Sequence, residues 1–216
     1  MKKLVAVVQP GLPFRPTLTK TQVAALIARI VDEVNSRTQT SVTDDSSIDT
    51  HIEASLSSFI EELKQLAPDG FMTDHNCRIL TVSLKKITRA VAYHLISAAQ
   101  REDILSELKK VLTNITFNFM HNLSTIARRC TENIEAINRA FQRSSTHISD
   151  IEITDSDPHN GGQRVAIITL DDGFKIVYKP REVRVDAKIV GDDITDRSLS
   201  AIINEIIGAK TETFKR

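Results

Sequence analysis

The chain has 216 residues, of which 41% are hydrophobic and 26% are charged, and its formal net charge is zero. This composition is typical of a folded protein that can bury a core, and it excludes a disordered chain. A zero net charge argues against a sequence-independent nucleic-acid binder, because such a protein needs an excess of basic residues to displace counterions from phosphates.

Nothing in the sequence predicts a membrane span or export. Two lysines and a short apolar run open the chain, but the run breaks at Pro10 and Gly11 and no small-residue cleavage site follows. No apolar stretch approaches the roughly 20 residues that a membrane helix needs. We therefore expect a cytoplasmic protein. Cys77 and Cys130 lack CxxC spacing, which favours two reduced thiols over a disulfide or a zinc site.

From about residue 19 to residue 143 the apolar residues recur every three or four positions, which is the period of a helix. The pattern predicts two helices separated by a loose polar linker at residues 36–47, then a third helix at residues 84–100. Two further apolar stripes, at residues 104–119 and 123–141, predict a fourth and a fifth helix. We predict that residues 1–145 form a helical bundle or layer.

Chemistry is not evident in this helical region. His94 and His121 lie in helical patterns without a second histidine four residues away, so packed or half-exposed rings are expected rather than metal ligands. Residues 74–77, with the sequence Asp-His-Asn-Cys, group polar side chains ahead of the third predicted helix. We predict a turn that caps this helix.

After Ser144 the apolar residues alternate instead, which predicts strands. A short strand is expected near Ile151, and two longer runs at residues 164–170 and 174–179 flank a turn at residues 171–173. An Asp-Gly pair between two such runs is a strong hairpin signal. The prediction is an α+β fold with a hairpin segment at residues 146–186 and a tail at residues 187–216 that holds a short helix.

Polar residues that can carry chemistry flank the predicted hairpin. Asp157 and His159 precede a glycine pair that ends at Gly162, and Lys179 ends the second run. A glycine loop, a hairpin and then a lysine follow one another in the nucleotide-binding lobe of kinase-like folds, where the lysine pairs with phosphates. On the residues alone, Lys179 can equally be a solvated surface lysine and Asp157 a turn cap.

The stretch from residue 157 to residue 186 resembles the N-terminal dehydratase domain of LanM-type class II lanthionine synthetases. In that family a D-x-H-x-x-G loop leads through a hairpin to Y-K-P-R. The residues that carry the resemblance are Asp157, His159, Asn160, Gly162, Val165, Gly173, Tyr178, Lys179, Pro180, Arg181 and Asp186. The chain departs from the family at Ser156, where glycine is frequent, and at Gln163 and Arg164, which replace an arginine and a small residue.

The resemblance implies a lipid-kinase-like fold and an enzyme that uses ATP and Mg²⁺ to phosphorylate serine and threonine in a precursor peptide. The phosphate is then eliminated to give a dehydro amino acid. By the resemblance, Lys179, Arg181 and Gly162 would contact ATP phosphates, and Asp157 and His159 would act in the elimination. A histidine suits this step, since its pKa lies near neutral pH.

The resemblance ends after Asp186, and the sequence stops at Arg216. We therefore expect the lobe that would supply the catalytic Asp, the Asn and the Mg²⁺ ligands to be missing, together with a zinc-dependent cyclase domain. Such a fragment would be inactive alone and would need another polypeptide for the missing lobe. The alternative is a non-enzymatic remnant or adaptor that binds the precursor peptide or a full-length synthetase. A helical interaction protein with an incidental hairpin is the third hypothesis.

Overall fold

A computed structural model describes residues 18–40, 45–68, 70–95, 101–157 and 162–180. These residues form helices and a small antiparallel sheet, which confirms the predicted α+β class. Most of the structure is helical. The elements are α1 (Lys20–Thr40), α2 (Asp45–Leu66), α3 (Asp74–Leu95), α4 (Arg101–Glu132), α5 (Ile134–Phe141), β1 (Ile148–Ile153), β2 (Ala166–Leu170) and β3 (Lys175–Tyr178).

The first four helices pack into a bundle in which α1 contacts α2 and α4, and α3 contacts α2 and α4. Each helix buries one apolar stripe at the helical spacing, as with Val23, Ile27 and Val31 in α1. Thr19 and Gln22 begin α1 with a capping box, since the Thr19 amide donates to Gln22 Oε1 at 2.8 Å and the Gln22 amide donates to Thr19 Oγ1 at 3.2 Å.

Three predicted helix boundaries were wrong. The third helix begins at Asp74 and not at residue 84, because Thr73 Oγ1 accepts from the Asn76 amide at 3.2 Å and caps the helix there. The fourth stripe and part of the fifth belong to one helix, α4, since no residue between Phe119 and Leu123 breaks a helix. Helix α1 continues to Thr40, so the linker to α2 is shorter than predicted.

The sheet has the order β1-β2-β3, and both strand pairs are antiparallel. Its inner face is apolar and contributes to the same core as the helices, while β1 contacts α3 and α4. A bulge at Ser149 lets Ile148 and Ile151 both point inward although they are three residues apart. Ser149 Oγ donates to the carbonyls of the neighbouring strand at 3.0 and 3.1 Å, which holds the bulge in place.

The predicted hairpin is confirmed, with strands somewhat shorter than the sequence indicates. Its turn closes through hydrogen bonds of 2.9 Å from the Leu170 amide to the Phe174 carbonyl and from the Gly173 amide to the Leu170 carbonyl. Asp172 Oδ1 accepts from the Phe174 amide at 2.9 Å. Gly173 has a φ of 82°, a conformation that costs a glycine little and other residues more. The turn sequence therefore explains the turn geometry.

The N-terminal residues 1–17 and the predicted tail helix lie outside the described residues. Within the described ranges, no helix is long and apolar enough to span a bilayer. The proposed division at residues 145 and 186 stays a prediction.

Candidate functional site

The first turn of α3 holds the outer edge of β1. Asn76 is completely buried, and its side chain forms three hydrogen bonds with the main chain of other segments. Its Nδ2 donates to the carbonyls of Phe71 at 2.9 Å and Ile151 at 2.8 Å, while its Oδ1 accepts from the Ile153 amide at 2.9 Å. The amide therefore pairs with β1 as a neighbouring strand would, and it satisfies main-chain groups that an edge strand leaves open.

His75 adds a second bond to the same edge. Its Nε2 lies 2.7 Å from the carbonyl oxygen of Ile153, so Nε2 must carry the proton and Nδ1 is left as an acceptor. Arg78 Nη2 lies 3.4 Å from that Nδ1. The polar run at residues 74–77 is thus part of a helix, and its cap is Thr73. Its polar side chains join the bundle to the sheet.

Beyond β1 the chain enters a loop whose neck is closed by hydrogen bonds. The Val165 amide donates to Ser156 Oγ at 3.2 Å, and Thr154 Oγ1 donates to the Val165 carbonyl at 2.9 Å. Arg164 Nη1 donates to the Ser156 carbonyl at 2.7 Å. Ser156 and Arg164, two of the positions that depart from the family pattern, are therefore among the residues that bind the two sides of this neck to each other.

Two of the predicted site residues belong to the loop that this neck closes. Asp157 is exposed and directly follows the neck. Gly162 has a φ of 94°, and a Cβ at this position would lie 3.3 Å from Asn118 Cβ of α4. Glycine therefore serves both the conformation and the close approach to the helix. His159 lies outside the described residues, as does Arg181 at the end of the motif.

Lys179 directly follows β3 and is half-buried. In the sheet register Ile153 pairs with Ala166, and Ala166 pairs with Tyr178. The loop that carries Asp157 and the strand end that carries Lys179 therefore lie at the same end of the sheet. The hairpin brings these parts together, although they are more than 20 residues apart in the sequence.

Arg129 of α4 positions the strand that leads to Lys179, because its Nη1 donates to the Tyr178 hydroxyl at 2.7 Å. Sequence reasoning missed this arginine, and it also missed Asn76. The only signal for Asn76 was the polar run at residues 74–77, whereas Arg129 is an exposed arginine in a helical pattern with no local feature to mark it.

The outer face of the sheet has two acidic residues on one side and one lysine on the other. Asp150 and Glu152 lie on β1, Lys175 lies on β3, and Asp150 aligns with Lys175 through the central strand. Burial raises the pKa of Asp150, and the neighbouring Glu152 carboxylate adds to this rise. Val177 is 64% exposed on the same face. The face thus combines an apolar patch with charges of both signs.

The described residues contain no group of three or more histidine, cysteine or acidic side chains that could hold a metal ion. Both cysteines are free and buried. Burial raises the pKa of Cys130 to about 11 and also raises that of Cys77. Both thiols are therefore mostly protonated in the folded protein at neutral pH, and the protonated thiol is the poorer nucleophile.

Residues 106–191 match the model of a protein family described as a domain of unknown function, DUF4135. This domain is associated with lanthionine synthetase-like proteins. The match begins in α4 and runs through α5 and the sheet, so it includes the loop neck, Asp157 and Lys179. A search of curated proteins finds no match to the chain. The more specific LanM type stays a prediction.

Proposed function

We propose that this chain supplies part of the active site of a lanthipeptide dehydratase of the LanM type, built on a lipid-kinase-like lobe. The observation that carries the proposal is the hairpin, which joins the Asp157 loop to Lys179 at one end of the sheet. The DUF4135 match over the same residues supports it. The substrate would be a serine- or threonine-containing precursor peptide, and the phosphoryl donor would be ATP.

The reaction has two steps with different needs. In the first, the side-chain oxygen of serine or threonine takes the γ-phosphoryl group, and Lys179 offsets negative charge on the phosphates. In the second, a base removes the α-proton, the electron pair forms the Cα–Cβ double bond, and the Cβ–O bond breaks to release phosphate. Asp157 and His159 serve this elimination, and His159 is the natural base because an ordinary histidine side chain has a pKa near neutral pH.

The described residues fit the phosphate part of ATP better than they fit its metal. Lys179 directly follows β3, whose last residue, Tyr178, accepts a hydrogen bond from Arg129 of α4 at 2.7 Å. Val177, two residues earlier on the strand, offers exposed apolar surface on one face. The described part of the chain has no cluster of three or more histidine, cysteine or acidic side chains, so we assign no Mg²⁺ ligands.

Titration of the protein with a non-hydrolysable ATP analogue tests the nucleotide role. Lys179→Met should weaken binding by about tenfold or more, since a charge-assisted contact to a phosphate is lost. Lys175→Met is the matched control, because Lys175 is an exposed lysine at the other end of β3, and this variant should leave the affinity unchanged. Equal affinities for the Lys179 variant and the unmodified protein would contradict this role.

Mass spectrometry of the precursor peptide separates the two steps in a preparation that dehydrates it. Lys179→Ala should block phosphorylation, whereas His159→Ala and Asp157→Asn should let phosphopeptide accumulate. Asp155→Asn is the matched control for Asp157, because the Asp155 side chain is 90% exposed. Loss of both steps in every variant would contradict the assigned roles.

The non-enzymatic alternative is favoured by one observation in the helical bundle. An open cavity of about 500 Å³ on α3 is lined by Val82, Lys85, Lys86, Arg89 and Ala90, and Val82 is 59% exposed. Lys85 and Arg89 form ion pairs with Glu53 and Asp49 of α2, so a peptide would bind here mainly through apolar contact with Val82. If Val82→Asp abolished precursor-peptide binding while Lys179→Met left ATP-analogue binding unchanged, the adaptor function would replace the enzymatic one.

A further inference from the structure

Arg164 lies in the loop neck with its charge poorly compensated. Only 15% of its side chain is exposed. Its Nη1 donates to the Ser156 carbonyl at 2.7 Å, which satisfies one N–H bond but supplies no negative charge. Its carboxylate neighbour is Asp155, whose Oδ1 lies 3.8 Å from Nη1 and whose side chain is 90% exposed. An ion pair this long, with one partner in solvent, contributes little.

One edge of the Arg164 guanidinium has no hydrogen-bond partner among the described residues. A guanidinium has five N–H donors, and the edge formed by Nε and Nη2 can bind two oxygens of one carboxylate or phosphate at once. Among the residues that the structure describes, no acceptor lies within hydrogen-bonding distance of these two nitrogens. A largely buried cation whose two-donor edge has no partner among these described residues is suited to bind an anion.

The surroundings of Arg164 indicate where that anion would bind. The same neck closes the loop that begins at Asp157 and returns to α4 at Gly162, where a Cβ would meet Asn118 at 3.3 Å. Lys179 follows the strand paired with β2, at the same end of the sheet. The Ser156 bond fixes one side of the guanidinium, so the Nε–Nη2 edge is held before a ligand arrives, which lowers the entropy cost of binding.

We propose that Arg164 binds the phosphate ester of a phosphorylated serine or threonine in the peptide substrate. This inference rests on the function proposed above, because the loop that Arg164 closes carries the predicted elimination residues. When the Cβ–O bond breaks, its electron pair passes to the departing phosphate, and two N–H donors on the phosphate oxygens stabilise the growing negative charge. Arg164 thus serves the peptide phosphate, whereas Lys179 serves the phosphates of ATP.

Calorimetric titration of the full chain with four probes tests the assignment. The probes are a phosphoserine peptide, the same peptide with serine, inorganic phosphate and a non-hydrolysable ATP analogue. Arg164→Gln should weaken phosphoserine-peptide binding by about ten- to a hundredfold, since a bidentate charged contact is removed. Its affinity for the serine peptide and for the ATP analogue should not change. Arg164→Lys keeps the charge but lacks the two-donor edge. Its affinity for the phosphoserine peptide should lie between those of the unmodified protein and Arg164→Gln.

Arg29→Gln is the matched control, because Arg29 is an exposed arginine on α1, paired with Glu62 at 2.6 Å. It should bind all four probes as the unmodified protein does. Protection of the Val165 amide from hydrogen exchange shows whether the neck stays closed in each variant. Should Arg164→Gln open the neck, the comparison of Arg164→Lys with the unmodified protein, both with closed necks, provides the test.

Unchanged phosphopeptide affinity in a closed-neck Arg164 variant would overturn the inference. Equal weakening of phosphopeptide binding and of ATP-analogue binding would also overturn it, because Arg164 would then bind nucleotide phosphates. Either result is compatible with the proposed role of Lys179, provided that Lys179→Met still weakens binding of the ATP analogue. Failure of the unmodified protein to bind the ATP analogue would instead count against the proposed function itself.

Discussion

Replacing Asn76 by alanine should destabilise the protein strongly and open the edge of β1. The side chain is completely buried, and it satisfies the carbonyls of Phe71 and Ile151 and the amide of Ile153. In Asn76→Ala these three main-chain groups lose their partner inside the protein. Each buried group left without a hydrogen bond costs roughly 1–3 kcal/mol, and partial access of water lowers the sum.

We therefore expect Asn76→Ala to lower the free energy of unfolding by about 3–5 kcal/mol, a large part of the roughly 5–15 kcal/mol of a typical domain. Asn76→Asp should cost at least as much. Its carboxylate can still accept from the Ile153 amide, but it places oxygens against the Phe71 and Ile151 carbonyls and brings a charge into the core.

Urea denaturation followed by circular dichroism measures the loss, with Asn114→Ala as the control because Asn114 is an exposed asparagine on α4. The control should change the free energy of unfolding by less than about 0.5 kcal/mol. Hydrogen exchange should show the Ile153 amide losing protection before the amides of α1. A loss below about 1 kcal/mol for Asn76→Ala, or an Ile153 amide that stays protected, would refute the role of the side chain as a substitute strand.

Three further predictions concern other parts of the molecule. In the native protein Cys130 should react slowly with iodoacetamide at pH 8. Burial raises its pKa to about 11, so only about one thiol in a thousand is ionised at this pH. Labelling is measured by mass spectrometry, and a rate as high as in the denatured chain would disprove the prediction. Gly173→Ala should lower the free energy of unfolding, measured by chemical denaturation, by about 1 kcal/mol, because residue 173 has a φ of 82°. Gly162→Ala should lower it more, because the new Cβ would also lie 3.3 Å from a helix side chain. Equal losses of stability in the two variants would argue against that contact. Burial acts to raise the pKa of Asp171, but hydrogen bonds from Thr146 outweigh it and leave that pKa lowered. The stabilisation from Asp171 is therefore present at neutral pH and lost as the pH falls through the lowered pKa, so the difference in stability between the protein and Asp171→Ala should shrink below about pH 4; a difference that grows on acidification would contradict this.

Short-range features were predictable because their causes lie close together in the sequence. The turn at residues 171–173 forms from an aspartate that caps the next turn and a glycine that takes a positive φ, both within one hairpin. Helices α1 and α2 were predicted from the spacing of their apolar residues. The start of α3 was missed because polar residues at positions 74–77 interrupt the apolar stripe, although Thr73 caps the helix there.

The candidate site depends on contacts between distant residues, which no local pattern encodes. Asn76 bonds β1 residues 75 and 77 positions away, and Arg129 bonds Tyr178 across 49 positions. By itself the sequence determined the helical and strand periods, the hairpin, and the motif that contains Asp157 and Lys179. Only the tertiary structure decided that a helix closes the free edge of β1 and that Arg164 lies largely covered in the loop neck, with 15% of its side chain exposed. The reason is physical, because burial and main-chain pairing are set by whichever segments meet in space.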